Sequence, residues 1–379
     1  MYYLAYYGDV KHNEQRANFP AATTKVDYIS DIVSNDAQDV VIISPSMTTS
    51  AKKSFGGDLV KKKEGVFVKL FPSHGFSTKI GKKFMKLYTD FLIFCFLKKN
   101  CNKGDPIIIY HSLSLLHMVL ALKFFLKMKV ILEVEEIYQD VVKTSLLKRK
   151  LEYKIFECAD AYIFSTKALN SALNHAKKPF VVINGTYRTE SKRQASFQDN
   201  QIHCVYAGTF EAAKGGAAAA IEAARYLPEN YVVHILGFGT KEEVNHILRL
   251  IEQVQKSTKC KIAYQGLLTG DEYTKFLQQC HIGLCTQIPD QKYVNTSFPS
   301  KVLVYLSNGL RVLSADMPVV RDSSVGELLW YYHEQTPEAI AAAIQSIDLH
   351  EDYQPDQFLF KLNVQCKKNL KKMIERVRN

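Results

Sequence analysis

At 379 residues the chain is too long for one compact core, so two domains are expected. Hydrophobic residues make up 47% and charged residues 23%, as in ordinary soluble globular proteins, and the lack of low-complexity segments and short-period repeats excludes a repeat architecture. The net charge of +11 points to an anionic partner: lipid head groups, nucleic acid or a phosphorylated ligand.

The opening "MYYLAYYGDV" lacks the basic start and small-residue cleavage site of a secretory leader and reads as a first strand. Apolar runs then predict strands at Tyr2–Tyr6, Val40–Ile43, Val66–Lys69, Ile107–Tyr110, Val130–Val134, Ala161–Phe164 and Phe180–Ile183. The longest uncharged run, Pro106 to Leu122, carries two His and two Ser and falls short of the roughly 20 apolar residues of a membrane span, so it reads as strand, turn and helix. A polar stretch without apolar period, Asn184 to Gln201, reads as an interdomain linker. A second series of strands is expected at His203–Ala207, Val232–Leu236, Lys261–Tyr264, Ile282–Cys285 and Arg311–Ser314. Helical patterns lie between, as at Thr24–Val33, Leu113–Leu126, Lys241–Gln255 and Asp271–Gln279. This alternation implies two doubly wound parallel sheets: an N-terminal domain over 1–196, a C-terminal domain over 197–350, and a basic helical tail over 351–379 that packs back on the first. Ligands of such sheets bind at the carboxyl ends of the strands. The eight cysteines form no CxxC pair, which removes zinc spacing and fits a reduced, cytoplasmic setting.

Three segments carry candidate chemistry. In "VYAGTFEAAKGGAAAAIEAA" a strand runs into Gly208 and Thr209, then Lys214, Gly215 and Gly216 precede an alanine-rich helix. Unpaired amides and the positive dipole end of a helix bind phosphate, and a lysine adds a full charge; an ordinary βα turn with a solvated lysine gives the same letters. It is no Walker loop, since neither GKS nor GKT follows. In "HILGFGTKEE", Gly237 and Gly239 follow a strand, but Glu242 stands where a dinucleotide fingerprint needs glycine. In "NTSFPSKVLVYLSNGLRVLS", Pro299, Ser300 and Lys301 open a helix that Gly309 ends, giving either a second positive helix mouth or a plain capped helix.

Taken in order and spacing, "VINGTY", "VYAGTFEAAKGG", "HILGFG", "IAYQGLLTGDEYTKFLQQCHIGLC" and "SFPSKVLVYLSNGLRVLS" resemble the retaining GT-B glycosyltransferases of the bacterial capsule and O-antigen type, glycosyltransferase family 4-like. The likeness is looser in the first half, through "AATTKVDYISDIV", "VVIISPS" and "VILEVEEIY". It implies an α/β chain of GT-B architecture: two Rossmann-like domains facing across a cleft, which closes over donor and acceptor. The C-terminal domain would hold a nucleotide sugar, with Gly208, Thr209, Lys214 and Gly215 at the diphosphate, Ser300 and Lys301 at the helix mouth beside it, and Gly237 and Gly239 near the base. By family frequency the carrier would be uridine diphosphate; galactose is the sugar expected.

Two positions depart from the family pattern. Thr209 stands where many members have arginine, and Thr296 and Val304 stand where many carry a pair of glutamates. Val304 cannot hydrogen-bond a ribose, which keeps open a catalytically silent subunit that binds a nucleotide sugar or a partner glycosyltransferase; a nucleotide-sugar epimerase is the other alternative.

The reaction implied is retaining transfer to a lipid-linked saccharide in polysaccharide biosynthesis. Lys214, Lys301 and the helix mouths would stabilise the leaving diphosphate without a metal or other cofactor, and no DxD motif stands in a plausible metal-binding loop. "LEVEEIYQD" brings Glu133, Glu135 and Glu136 to a strand end; Glu136 first and Glu135 next are the candidates to orient or deprotonate the acceptor, unless they form a solvated acidic loop. Gly8 and Arg16, in "YYGDVKHNEQRANFPAA", are the candidate acceptor contacts, and His111 reads as a structural histidine at least as well as a cleft residue.

Between Ala51 and Lys103 stand 13 Lys against 3 acids, a local +10. Its segment Lys79 to Asn100 has lysines flanking an aromatic and aliphatic middle. It suits a peripheral helix on the inner face of the plasma membrane, or a core helix with solvated lysines. Nucleic acid is not expected, since no recognised binding module accompanies the charge.

Overall fold

The computed structural model describes residues 1–8, 10–34, 38–141, 145–190, 196–211, 215–288 and 295–378, without the side chains of 20, 21 and 141. The chain divides into two units, Met1–Thr186 with Gln365–Asn379 and Tyr187–Val364.

In the first unit the elements run β1 (Tyr2–Leu4), α1 (Pro20–Ser34), β2 (Val40–Ser44), β3 (Ser54–Phe55), β4 (Asp58–Lys63), β5 (Val66–Leu70), β6 (Ser73–His74), α2 (Lys79–Asn100), β7 (Pro106–Tyr110), α3 (Leu116–Phe124), β8 (Lys129–Val134), α4 (Tyr138–Val141), α5 (Leu146–Cys158), β9 (Ala161–Phe164), α6 (Lys167–Leu173) and β10 (Phe180–Val182). Its main sheet is ordered β10-β9-β8-β7-β1-β2-β5-β4. Every neighbouring pair is parallel except β4 with β5. The central strands "VVIIS", "PIIIY" and "KVILEV" are near-continuous apolar runs because helices cover both faces. One face packs Leu4, Ile107, Ile109 and Leu132 against α2, α3 and α5. The edge strand β4, "DLVKKK", escapes prediction because only its Val60 is even half-buried; it is held by its ladder to β5, and its lysines keep the edge from pairing further.

The second unit holds β11 (Ile202–Thr209), α7 (Gly216–Ala223), β12 (Tyr231–Phe238), α8 (Lys241–Gln255), β13 (Lys261–Gly266), α9 (Gly270–Gln279), β14 (Ile282–Cys285), α10 (Lys301–Ser307), β15 (Arg311–Ala315), α11 (Pro318–Arg321), β16 (Leu329–Tyr332) and α12 (Pro337–Gln345). Its six strands form one parallel sheet, β13-β12-β11-β14-β15-β16. The final helix α13 (Pro355–Arg378) starts in this unit, and its residues from Gln365 belong to the first.

Both sheets reverse their strand order beside their first strand, at β1/β7 in the first unit and at β11/β14 in the second. At such a switch point the connections leave on opposite sides and open a crevice at the carboxyl ends of the strands.

No helix among the described residues is long and apolar enough to cross a membrane. The helix α2 buries Met85, Thr89, Ile93 and Leu97 along one side, while Ile80 at 85% and Phe84 at 68% stay exposed on the other, with Leu87 and Phe91. The segment is therefore a core helix that leaves an apolar stripe exposed.

Candidate functional site

At the β11/β14 switch point the ladder is short, joining only Cys204 to Ile282 and Val205 to Gly283. Beyond it a tyrosine from α10 replaces the strand partner: the buried Tyr305 hydroxyl accepts from the Ala207 amide at 2.9 Å. Its ring fills the space beside Gly283, where a Cβ would come within 2.4 Å of it. The crevice therefore opens at the ends of β11 and β14.

Among the described residues, bare backbone and the Lys301 ammonium group line this opening. A Cβ on Gly208 would lie 2.4 Å from Cε and 2.5 Å from Nζ of Lys301. Lys301 Nζ donates to the Tyr206 hydroxyl at 3.0 Å and stands 4.1 Å from its ring centroid; that hydroxyl donates in turn to the Thr209 carbonyl at 3.1 Å. Across the turn, a Cβ on Gly216 would meet the Thr286 carbonyl at 2.3 Å, and Thr286 Oγ1 donates to the Gly216 carbonyl at 2.8 Å. Gly237 takes φ +148°, where a Cβ would fall 1.8 Å from the Gly208 carbonyl, so only glycine fits.

The helix starts differ. The start of α8 is closed by its own capping box, with Thr240 Oγ1 accepting from the Glu243 amide and Glu243 accepting from the Thr240 amide at 2.7 Å. Gly239 packs on that box, its Cβ position 2.8 Å from Glu243 Oε2. By contrast α7 begins at Gly215, in left-handed backbone with φ +60°, and α10 begins at Ser300; neither first turn is capped by a side chain. Helix starts without side-chain caps leave first-turn amides that a ligand can take, although the Val302 amide of α10 already donates to the Pro299 carbonyl at 3.1 Å.

In the first unit, polar chemistry gathers at the end of β8. Glu133 is fully buried and receives the Tyr3 hydroxyl on Oε2, while its Oε1 has no donor. Burial first, then the Glu135 charge, pushes its carboxyl up to about 8, against the pull of Lys25. Lys25, buried on α1, ion-pairs with Glu135 at 3.0 Å and donates to the Ile183 carbonyl at 2.6 Å. The Glu135 carbonyl is pinned by Ser165 Oγ at 2.7 Å. Glu136 is half-buried, and burial followed by the charges of Glu136 and Glu135 pushes Tyr138 up to about 12. His111 is buried, with Nε2 3.3 Å from Glu152 Oε1 and Tyr138 and Phe156 rings each 5.0 Å away, which is the structural reading of that histidine.

No protein-family model and no curated relative matches the sequence. Solved structures do match it. A trehalose-6-phosphate structure from E. coli bound with UDP-2-fluoro glucose has a TM-score of 0.70 at 10% identity, covering 100% of this chain and 98% of that one. A sucrose-phosphate synthase from Thermosynechococcus elongatus gives 0.64 at 13% over 100% and 96%, and the HepE protein of Anabaena in complex with UDP gives 0.64 at 11% over 99% and 99%. The fold is GT-B.

Within this GT-B fold, the expected donor residues Gly208, Thr209, Gly237 and Lys301 lie at the crevice of the second unit, with the Gly215 and Ser300 helix starts. Gly239 instead packs against the α8 cap. Lys214 falls at 212–214, outside the described residues. Val304 is half-buried on α10, its carbonyl accepting from Ser307 and Asn308.

Of the first-loop candidates, Gly8 is needed where its Cβ would lie 2.6 Å from the Ala17 carbonyl. Arg16 turns inward: its three nitrogens donate to Glu14 and to the carbonyls of Ser46, Phe71 and Gly56, with the side chain 1% exposed. The expectation of an Arg16 contact with acceptor is corrected by this geometry, because a buried guanidinium spent on Glu14 and on the carbonyls of neighbouring segments ties those segments together rather than pointing outward. Glu135 and Glu136 belong to the end of β8, two strands from β1.

Sequence reasoning passed over Tyr206, Tyr305, Thr286 and Lys25. The two tyrosines carried a usable signal: a tyrosine amid buried apolar residues needs a hydroxyl partner.

Proposed function

We propose that the protein is a glycosyltransferase that moves a sugar from a uridine-diphosphate donor, held at the β11/β14 crevice, to a lipid-linked saccharide with retention of configuration. The observation that carries this reading is the approach of Lys301 to the bare backbone of Gly208 beside two helix starts without side-chain caps. Bare backbone admits a diphosphate closely, amides satisfy its oxygens, and an ammonium offsets its charge. As the bond from sugar to phosphate breaks, negative charge grows on the leaving oxygen, and preorganised amides and lysine stabilise it without reorganisation. The GT-B neighbours from E. coli and Anabaena are bound with UDP-2-fluoro glucose and UDP, which favours the uridine carrier.

The finer parts of the proposal rest on this chain. Lys214 joins Lys301 at the phosphates, and turnover continues in EDTA because those cations take the place of a metal. Glu135 and Glu136 meet the acceptor. The acceptor belongs to capsule or O-antigen synthesis in a bacterium, and the protein works as a peripheral protein on the cytoplasmic face of the plasma membrane. The uncovered stripe of Ile80, Phe84, Leu87 and Phe91, flanked by Lys79, Lys82, Lys83 and Lys86, is what suits an anionic bilayer. Thr209 and Val304 favour a second reading, a silent subunit that binds the donor only.

A thermal-shift screen of nucleoside diphosphates and their sugars tests the core. A selective rise with a uridine compound supports it, and no response to any nucleotide removes it. Turnover with lipid-linked acceptors separates the enzyme from the silent subunit, and flotation with phosphatidylglycerol vesicles tests the membrane.

A further inference from the structure

The buried polar cluster of the first unit poses a problem in charge. Two carboxyl groups, Glu133 and Glu135, stand beside a single cation, Lys25. Glu133 is 0% exposed, the Lys25 side chain 6%, and the Glu135 side chain 30%. Were both carboxyls ionised, the fully buried Glu133 would carry a charge beside a second carboxylate with one cation between them, which is unfavourable. Hydrogen bonding agrees. Glu133 Oε1 has no hydrogen-bond donor among the described residues, and Glu135, whose Oε1 pairs with Lys25 at 3.0 Å, lies in hydrogen-bonding reach of it. A proton on Glu133 supplies the donor missing between the two carboxyls.

The structure assigns Lys25 and a protonated Glu133 as positioning residues that hold the Glu135 carboxylate, the one member with solvent access, as an anchor for a sugar hydroxyl. Each element packed on the cluster supplies a part. Strand β1 gives the Tyr3 hydroxyl to Glu133 Oε2. Helix α1 gives Lys25, steadied by the Ile183 carbonyl at 2.6 Å. Strand β7 brings Tyr110, whose phenol burial keeps neutral, and α13 brings the buried Cys366 near Lys25. Glu136 follows Glu135 in the chain and adds charge toward Tyr110 and Tyr138. With Glu133 neutral the buried set reduces to one cation and one anion. The anion keeps outward lone pairs for a hydroxyl donor, which is the chemistry a saccharide presents.

The assignment of Glu135 to a sugar rests on the transferase reading, whereas the charge arrangement does not, so the test reads them separately. Carboxyl titrations of the ligand-free full chain, by 13C NMR of labelled glutamate, address the arrangement. One glutamate is expected neutral at pH 6.5, with its signal absent in Glu133→Gln. Lys25→Met is expected to raise the Glu133 titration further, and Lys25→Arg to restore it. Ionised Glu133 at pH 6.5, or a Glu133 titration indifferent to Lys25→Met, overturns the inference.

Should Lys25→Met fail to fold, Glu133→Gln carries the test: its amide keeps a donor toward Glu135, so the fold stays and the alkaline carboxyl step disappears, whereas an alkaline step that persists overturns the inference. In a transfer assay Lys25→Met is expected to raise acceptor KM about tenfold and move the acid limb of kcat/KM upward. A kcat loss with unmoved KM and pH profile contradicts the positioning role. Failure of the unaltered chain to bind any uridine nucleotide instead removes the transferase reading and leaves the carboxyl titrations standing.

Discussion

The two units share a strand plan and differ in what they bury. The first hides a carboxyl that holds its proton, and the second hides an imidazole that refuses one. In the second unit Gln265 donates to His234 Nδ1 at 3.1 Å, His234 Nε2 lies 2.8 Å from His203 Nδ1, and His203 Nε2 lies 2.9 Å from Asp199. Phe197 and Phe276 cover His234, His203 and Lys261 stand against a charge on it, and His281 accepts the His203 amide at 3.0 Å. Burial above all pulls His234 down to about 4. The difference teaches that similar doubly wound sheets can be given opposite acid responses by a few buried side chains.

The sharpest way to break the comparison is at a backbone. Gly237→Ala drives a Cβ against the Gly208 carbonyl in a φ region closed to alanine, so the second unit should lose about 3 kcal/mol or more. Thermal unfolding with hydrogen exchange should locate the loss there, with nucleotide binding gone.

The pH responses come next. Glu133 is raised in the fold from an ordinary 4.5 to about 8, so the unfolded chain releases its proton first. That contribution is fully present below pH 4.5 and is lost as pH rises to about 8. Glu133→Gln should remove this slope and stabilise the first unit at pH 8 by a few kcal/mol, on the order of 1.4 kcal/mol for each pH unit that separates the folded and unfolded titrations. His234 runs the other way. Its contribution is present above pH 6.5 and is lost as pH falls toward 4, a span worth on the order of 3 kcal/mol. Hydrogen exchange at pH 5 and pH 8 should therefore protect the first unit better in acid and the second better in base. Parallel changes in both units would erase the contrast.

The smallest effect concerns Tyr206. Removing its hydroxyl in Tyr206→Phe frees Lys301 of one partner, so donor KM should rise roughly two- to tenfold, the scale of one hydrogen bond, with kcat little changed. An unchanged KM would mean that Lys301 needs no such support.

Strand positions were legible because buried parallel strands write themselves as β-branched runs: "PIIIY" and "VVIIS" could be little else. The strands β4 and β16 were not legible, one being a lysine-rich edge and the other four residues of "LWYY". At the site, glycines were readable since Gly208 and Gly237 stand where a Cβ would collide. Their supports were not. Tyr206 and Lys301 are 95 residues apart, Tyr3 and Glu133 130, and Lys25 and Ile183 158, so no local pattern records those contacts. Arg16 misled for the same reason, since a charged residue in a candidate loop looks alike whether it points out or in.

Calorimetric titration of UDP into the unaltered chain and into Lys301→Ala tests the central claim most directly. A charge-assisted contact contributes roughly 1.5–3 kcal/mol, so affinity should fall about tenfold to a hundredfold, with the fold intact. Equal affinity in the two proteins would contradict a diphosphate site built on Lys301 at the β11/β14 crevice.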